Sequence, residues 1–179
     1  MGGDLLPRFF SPVAQPVTWI GAHPNNFTVG RYGYRPAAVV LHTIDGTLAG
    51  CDSWFNNPQA IVSAHYGVGF DGAIHQYVKL ENTAFANGIL ENGNRWPFSQ
   101  SINPNYLSVS IETEGDTDDP VTDQMFASVK QIIDLVWAEC PGLELVTTHQ
   151  VISPQSRPSC PGDRWTEGRM QALGYPLLI

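Results

Sequence analysis

Residues 63–78 have the sequence SAHYGVGFDGAIHQYV, the clearest local structural signal in this chain of 179 residues. Two strand-like runs, SAHYGVGF and AIHQYV, flank Asp71-Gly72, a dipeptide typical of tight hairpin turns. The segment therefore predicts a β-hairpin, and apolar runs on either side of it supply further strands for the same sheet.

Three further strands are predicted, and each leads to a residue with a reactive side chain: residues 37–41 to His42, residues 106–111 to Glu112 and residues 143–148 to His149. The first of them, AAVVL, is a continuous apolar run, as expected of a strand that is buried on both faces. Strand ends direct side chains to one rim of a sheet, where functional sites commonly form.

Helices are predicted at residues 47–56, 122–138 and 163–173, the second with apolar residues at helical spacing and Thr122 as its N-cap. Residues 1–36, rich in Pro, Gly and Asn, are expected to form an irregular lead-in, and residues 87–106 to form a long functional loop. The fold class is therefore mixed α/β. We expect one domain over the whole chain, with a central mixed β-sheet flanked by helices and no second domain.

Composition and charge exclude several classes of protein. The net charge of −8 is unsuited to nucleic-acid phosphates, and no apolar run reaches the ~20 residues of a membrane span. The N-terminus, MGGDLLPRFF, lacks a secretory signal pattern, so synthesis in the cytoplasm is expected. Of the three cysteines, Cys51 and Cys140 are interpreted as buried apolar residues. We expect a monomer with no nucleic-acid or membrane partner.

His42, His149 and Cys160 form a candidate metal-binding set. Two neutral imidazoles and one thiolate leave Zn²⁺ with a net charge near +1, and three ligands leave a fourth position open, which is typical of catalytic zinc. On spacing alone the alternative stays open, because a histidine that ends a strand is more often a hydrogen-bonded structural residue.

Four motifs in order resemble the N-acetylmuramoyl-L-alanine amidase family. They are HTIDG at 42–46, SAHYGVGFDGAIHQYV at 63–78, SVSIETEG at 108–115, and His149 followed after ten residues by CPG. The family includes amidase-type phage lysozymes, wall-recycling amidases and peptidoglycan recognition proteins. The resemblance implies a fold of that type, with one zinc ion per chain bound by His42, His149 and Cys160.

The resemblance also suggests the catalytic groups. Some relatives have a tyrosine at the position of Ala64, whereas others use a strand-end glutamate that corresponds to Glu112, so Glu112 is the expected general base. Glu114 is expected, at most, to contact the residues around the metal ligands and not the metal itself. Where some relatives carry a lysine this chain has Pro158, and the adjacent Arg157 is a candidate for stabilising the oxyanion or an ordinary surface arginine.

Substrate contacts are assigned to three residues: His65, Asn87 and Trp96. His65 has the alternative of a packed hairpin histidine, and Phe85-Ala86-Asn87-Gly88 departs from the Trp-His-Ala-Gly of many relatives. Trp96 and Phe98 are expected to line a groove formed by the 87–106 loop. His23 and His75 match no ligand position, so surface or hairpin roles are expected for them.

The implied activity is zinc-dependent hydrolysis of the amide between the lactyl group of muramic acid and L-Ala of peptidoglycan. A phage endolysin, or its catalytic module, released to the wall through a holin, is the expected context. Two alternatives stay open: a non-catalytic peptidoglycan-binding protein, which the complete ligand set disfavours, and a zinc peptidase that cuts within the stem peptide. A serine or cysteine hydrolase is disfavoured, because the chain has no Gly-x-Ser-x-Gly motif and Cys160 lies between Ser159 and Pro161 without a helix start.

Overall fold

A computed structural model describes residues 14–179, so the first part of the expected lead-in lies outside the described residues. Within this range the helices are α1 (Leu48–Phe55), α2 (Asp123–Glu139), α3 (His149–Ile152) and α4 (Glu167–Ala172). The strands are β1 (Val17–Trp19), β2 (Phe27–Thr28), β3 (Ala38–Thr43), β4 (Tyr66–Val68), β5 (Ile74–Gln76), β6 (Thr83–Ala84), β7 (Ser108–Thr113), β8 (Leu145–Thr148) and β9 (Leu177–Leu178). This confirms the mixed α/β class.

The central sheet has seven strands in the order β1-β5-β4-β7-β3-β8-β9, and β2 pairs with β6 in a separate small sheet. The middle strands β4, β7, β3 and β8 run parallel to one another, whereas β5 runs antiparallel to β4 in the predicted hairpin. In the β3–β7 register His42 lies opposite Glu112, and in the β3–β8 register Leu41 lies opposite Thr148. The register therefore brings His42, Glu112 and His149 to the same edge of the sheet.

Alternate residues of β3 and β7 pack into different layers. Val39 and Leu41 join the main core, in which α2 contributes Met125, Val129, Ile132, Ile133 and Val136. Ala38 and Val40 face the other side and pack with Trp96, Leu107 and Ile152. Because side chains alternate along a strand, His42 lies on this second face with Ala38 and Val40.

Local signals explain the element boundaries. Thr122 caps α2 by accepting a hydrogen bond from Met125 N at 3.0 Å, as predicted, and its hydroxyl donates to Phe70 O at 2.6 Å. The hairpin connection spans residues 69–73 rather than a two-residue turn, and Gly72 within it has a φ of +85°, which favours glycine. Among the described residues no helix is both long and apolar enough to cross a bilayer.

The expected irregular lead-in and the last helix differ from expectation. Within the lead-in, Phe27 and Thr28 form β2, which pairs with β6. Residues 17–19 are not irregular, because they pair in parallel with β5 at the edge of the sheet. A three-residue edge strand that is mostly exposed has too few residues to show a periodic pattern. The last helix begins only at Glu167, after the N-cap Thr166, so it is shorter than the predicted 163–173.

Candidate metal centre and active-site cavity

The three predicted metal ligands converge although they come from distant parts of the chain. His42 lies near the end of β3, His149 is the first residue of α3, and Cys160 lies in the following loop. Their potential ligand atoms all lie within 4.8 Å of one another, and the two Nδ1 atoms are 3.0 Å apart. All three side chains are buried, with only small parts of them reaching the surface.

The hydrogen bonds of the two rings show that this donor set fits a cation. Nε2 of His42 lies 3.1 Å from Asn87 Oδ1, and Nε2 of His149 lies 3.3 Å from the Asn87 carbonyl oxygen. Since these oxygens accept hydrogen bonds, each Nε2 carries the proton and each Nδ1 presents a lone pair. Two lone pairs at 3.0 Å repel each other, and a shared metal ion removes that repulsion.

The protonation of the cluster supports the same conclusion. Burial lowers the pKa of His42 well below its usual value and lowers the pKa of His149 to about 4, so both rings are neutral ligands near pH 7. Burial raises the pKa of the Cys160 thiol to about 12. A bound divalent cation reverses the preference of that thiol, because a coordinating thiol is deprotonated.

Glu112 lies beside the cluster, and its carboxyl group has no close hydrogen-bond partner among the described residues. Its Oε1 lies 3.9 Å from His42 Nδ1, and its Oε2 is buried without a hydrogen-bond partner among the described residues. Burial raises the pKa of this carboxyl to about 8, and the positive charge of Arg157 acts in the opposite direction. A carboxyl with a free oxygen and a pKa near neutrality is suited to exchange protons.

The structure also places Arg157 beside the metal cluster and Glu112. Its side chain is exposed, lines the same cavity as Glu112, and donates from Nη1 to Ser156 O at 2.8 Å. Its charge affects the pKa of Glu112 and of both histidines, although it forms no ion pair among the described residues. The guanidinium is therefore free to meet a negatively charged group in the cavity.

The cluster opens into a cavity of about 780 Å³. One part of its wall is apolar and comprises Trp54, Phe55, Val62, Phe85 and Ala86. Another part is polar and comprises Thr43, Asp45, Thr117, Ser156, Arg157 and Ser159. Trp54 lies at the C-terminal end of the short helix α1 and is 52% exposed, so its indole is available to a ligand.

None of the three expected substrate contacts lines the cavity. Trp96 is buried in the apolar layer over Ala38 and Val40, with its ring 4.9 Å from that of Phe98, because the 87–106 loop covers this face of the sheet. His65 is buried away from the cavity: its Nδ1 accepts from Ser110 N at 3.1 Å.

Asn87 is completely buried and does not line the cavity; its contacts are with the two ligand histidines rather than with a substrate position. Glu114 binds backbone groups rather than the metal ligands. Its carboxylate accepts hydrogen bonds from Leu48 N at 3.0 Å and Phe70 N at 2.8 Å. His75 binds Asp52 at 2.8 Å, in keeping with the expected hairpin role.

Arg164 is a supporting residue that the sequence did not reveal. This buried side chain donates to Thr43 Oγ1 and Thr113 Oγ1, both at 2.8 Å, and to Glu114 O at 2.8 Å. It thereby holds the loop after Cys160 against the ends of β3 and β7. An arginine in a polar loop gives no local signal of burial.

Comparisons with known proteins agree with this geometry. The family described as N-acetylmuramoyl-L-alanine amidase matches residues 32–163. N-acetylmuramoyl-L-alanine amidase A of Achromobacter lyticus is 34% identical over 98 residues, which are 54% of this chain and 46% of that protein. The chain thus matches less than half the length of this curated relative.

Two solved structures share the fold. An AmpD derivative superposes with a TM-score of 0.74 at 23% identity and covers 88% of this chain and 93% of its own. AmiD of E. coli, solved with anhydro-N-acetylmuramic acid-L-Ala-D-γ-Glu-L-Lys, has a TM-score of 0.65 at 19% identity and covers 87% of this chain and 60% of its own. Because the family match spans well over half of the sequence, the chain belongs to the N-acetylmuramoyl-L-alanine amidase family.

Proposed function

We propose that this chain is a zinc-dependent N-acetylmuramoyl-L-alanine amidase that cleaves the amide between the lactyl group of muramic acid and L-Ala. The observation that carries the proposal is the buried cluster of His42, His149 and Cys160 with the unpartnered carboxylate of Glu112 beside it. These three side chains would hold one zinc ion. When bound, zinc supplies a Lewis acid that polarises a carbonyl and lowers the pKa of water.

Glu112 would carry the proton transfers of the reaction. In the part of the chain that the structure describes, its Oε2 has no competing hydrogen bond, so it is available to accept a proton from the attacking water. The same carboxyl would then donate that proton to the departing nitrogen of L-Ala. Burial favours the protonated form, which makes the carboxylate a stronger base towards the attacking water than an exposed glutamate would be.

Arg157 would stabilise the negative charge that develops on the carbonyl oxygen. It lines the cavity with Glu112, and within residues 14–179 its guanidinium is bound only to a backbone carbonyl of its own loop. A carboxylate of the stem peptide is the alternative partner for this charge, and steady-state kinetics separates the two roles.

The apolar wall would hold the uncharged part of the substrate. Trp54 is the exposed aromatic side chain of this wall, and indoles present a broad face on which a sugar ring can lie. AmiD, which shares the fold, is described in complex with a muramyl peptide, and this likeness supports peptidoglycan as the ligand class.

We further propose that the chain serves as a phage endolysin or its catalytic module. In that role it would be made in the cytoplasm and reach the wall after release through a holin. The proposal rests on the family match and on the fold shared with solved structures described as endolysins. Lysis of host cells that requires a co-expressed holin is the expected result; equal lysis without the holin would contradict this route.

Digestion of purified peptidoglycan tests the chemistry. The zinc-loaded protein is expected to release peptides with L-Ala as the new free amino end, without new ends inside the stem peptide. Cys160→Ala should lose both zinc and activity, whereas Cys140→Ala, at a half-buried cysteine outside the cluster, should keep both. New amino ends within the stem would identify a peptidase, and binding without any new ends would identify a recognition protein.

A further inference from the structure

Asn87 is a completely buried residue in the loop after β6, and each of its polar groups has a partner. Its backbone N–H donates to Asn105 Oδ1 at 2.8 Å, and its side-chain Nδ2 donates to Ser108 Oγ at 2.6 Å. The remaining two groups, Oδ1 and the carbonyl oxygen, lie at 3.1 and 3.3 Å from Nε2 of His42 and His149. One residue thus contacts both histidines of the metal cluster.

The hydrogen bonds around Ser108 determine which way the Asn87 amide points. Ser108 Oγ lies 2.9 Å from the carbonyl oxygen of Pro104, which can only accept, so the hydroxyl proton is directed there. Ser108 Oγ is then left as an acceptor, and the group of Asn87 that faces it must be the NH₂. The amide oxygen therefore faces His42.

This orientation dictates the tautomer of His42. An amide oxygen beside Nε2 requires the proton on Nε2, which leaves the lone pair of Nδ1 directed at His149 and at the space shared with Cys160. The backbone carbonyl of Asn87 imposes the same tautomer on His149. The Ser153 hydroxyl lies 3.4 Å from the same carbonyl oxygen and 3.2 Å from Ile89 O, so its one proton is divided between the two.

We infer that Asn87 is the positioning residue of the metal site and sets the tautomer of both histidine ligands. Its side chain acts on His42, and its backbone carbonyl acts on His149. The inference rests on the proposed zinc site. Partners of the second nitrogen of a ligand histidine orient the ring, and their loss typically reduces metal affinity about 10–100-fold. A purely structural role, in which Asn87 joins the loop to β7, would lower stability without changing metal affinity.

Zinc affinity of metal-free protein, measured by competition with a chromophoric chelator, separates the two roles. Asn87→Leu keeps the approximate volume but removes the acceptor, and about 10–100-fold weaker zinc binding is expected. Asn87→Asp keeps an oxygen opposite His42 and should bind within a few-fold of the wild type. Asn26→Ala is the matched control, because Asn26 is equally buried and bonded to Phe55 O and Asn57 O, away from the cluster.

The outcomes are distinct. Tight zinc binding by the wild type and equal binding by Asn87→Leu would overturn the role of Asn87 and leave the proposed function intact. A wild type that binds no zinc would overturn the metal site itself. Should Asn87→Leu not fold, long-range ¹H–¹⁵N spectra of the zinc-loaded wild type still decide: protons on Nε2 of both rings support the inference, and a proton on Nδ1 of His42 overturns it.

Discussion

Replacing Glu112 with glutamine tests the proposed chemistry most directly. Glutamine keeps the size of the side chain but cannot accept the proton, and loss of a general base typically costs about 10²–10⁴ in rate. Glu114, two residues on, cannot substitute, because both of its oxygens accept backbone hydrogen bonds. We therefore expect turnover of a soluble muramyl peptide to fall by at least about 10²-fold, with one zinc still bound because no ligand is altered.

The same variant should change stability with a definite pH dependence. In the folded metal-free protein burial raises the pKa of Glu112 from 4.5 to about 8, so the folded state holds its proton more tightly than the unfolded state. The resulting stabilisation is fully present below pH 4.5 and is lost as the pH rises through about 8. Glutamine does not titrate and escapes this loss.

The size of the effect follows from the interval between the two pKa values. At about 1.4 kcal/mol for each pH unit, with a discount for the part of the side chain that meets the cavity, we expect about 2–5 kcal/mol. Relative to the wild type, metal-free Glu112→Gln should therefore gain this much free energy of unfolding between pH 4 and pH 9. Urea unfolding curves at the two pH values measure it.

Glu114→Gln is the matched control, and it should lower the free energy of unfolding rather than raise it. It places an NH₂ group opposite one of the two backbone N–H donors, which should cost about 1–3 kcal/mol of stability, while the folded fraction keeps its turnover. Activity retained by zinc-loaded Glu112→Gln and lost by folded, zinc-loaded Glu114→Gln would refute the assignment of the base.

Three other perturbations have separate expected outcomes. Chelation should abolish wall hydrolysis and zinc should restore it, while circular dichroism stays native because the apolar core forms without metal; unfolding on chelation would instead make the site structural. Arg157→Met should lower kcat about 10²–10³-fold with KM nearly unchanged, whereas a rise in KM alone would assign Arg157 to a substrate carboxylate. Trp54→Ala should raise KM about tenfold with kcat unchanged, and Trp19→Ala, an equally exposed tryptophan on the edge strand β1, should change neither constant.

The sequence was most informative where local pattern and burial agree. The continuous apolar run before His42, the hairpin around Asp71-Gly72 and the cap at Thr122 each have a local physical cause, and each is confirmed in the structure. The ligand set is different, because His42 and His149 are 107 residues apart and meet only through the pairing of parallel strands. The resemblance to a known family, rather than spacing, joined them at the level of sequence.

The errors have a common physical origin. Whether Trp96 faces a groove or the core depends on which face of the sheet is left for the 87–106 loop to cover, and a loop has no periodicity that shows this. The environment of His65 depends on Arg31, whose Nη2 lies 2.8 Å from its Nε2 and whose Nη1 donates to Ser108 O at 3.0 Å. Such long-range polar contacts leave no local trace.

The register of the sheet and the loop after β8 contribute different parts of the site. Pairing of β3 with β7 places Glu112 directly opposite His42, so the distance between base and ligand is set by backbone hydrogen bonds within a buried sheet. A slip of one residue would turn His42 to the opposite face, into the main core that holds Val39 and Leu41, where a polar imidazole would be unfavourable. Cys160 has no strand to hold it and depends on loop contacts, in which Gln150 N donates to Cys160 O at 3.1 Å and Arg164 binds Thr43. The histidines and the base are therefore positioned by the core of the fold, whereas the thiol is positioned by a small number of hydrogen bonds at its edge.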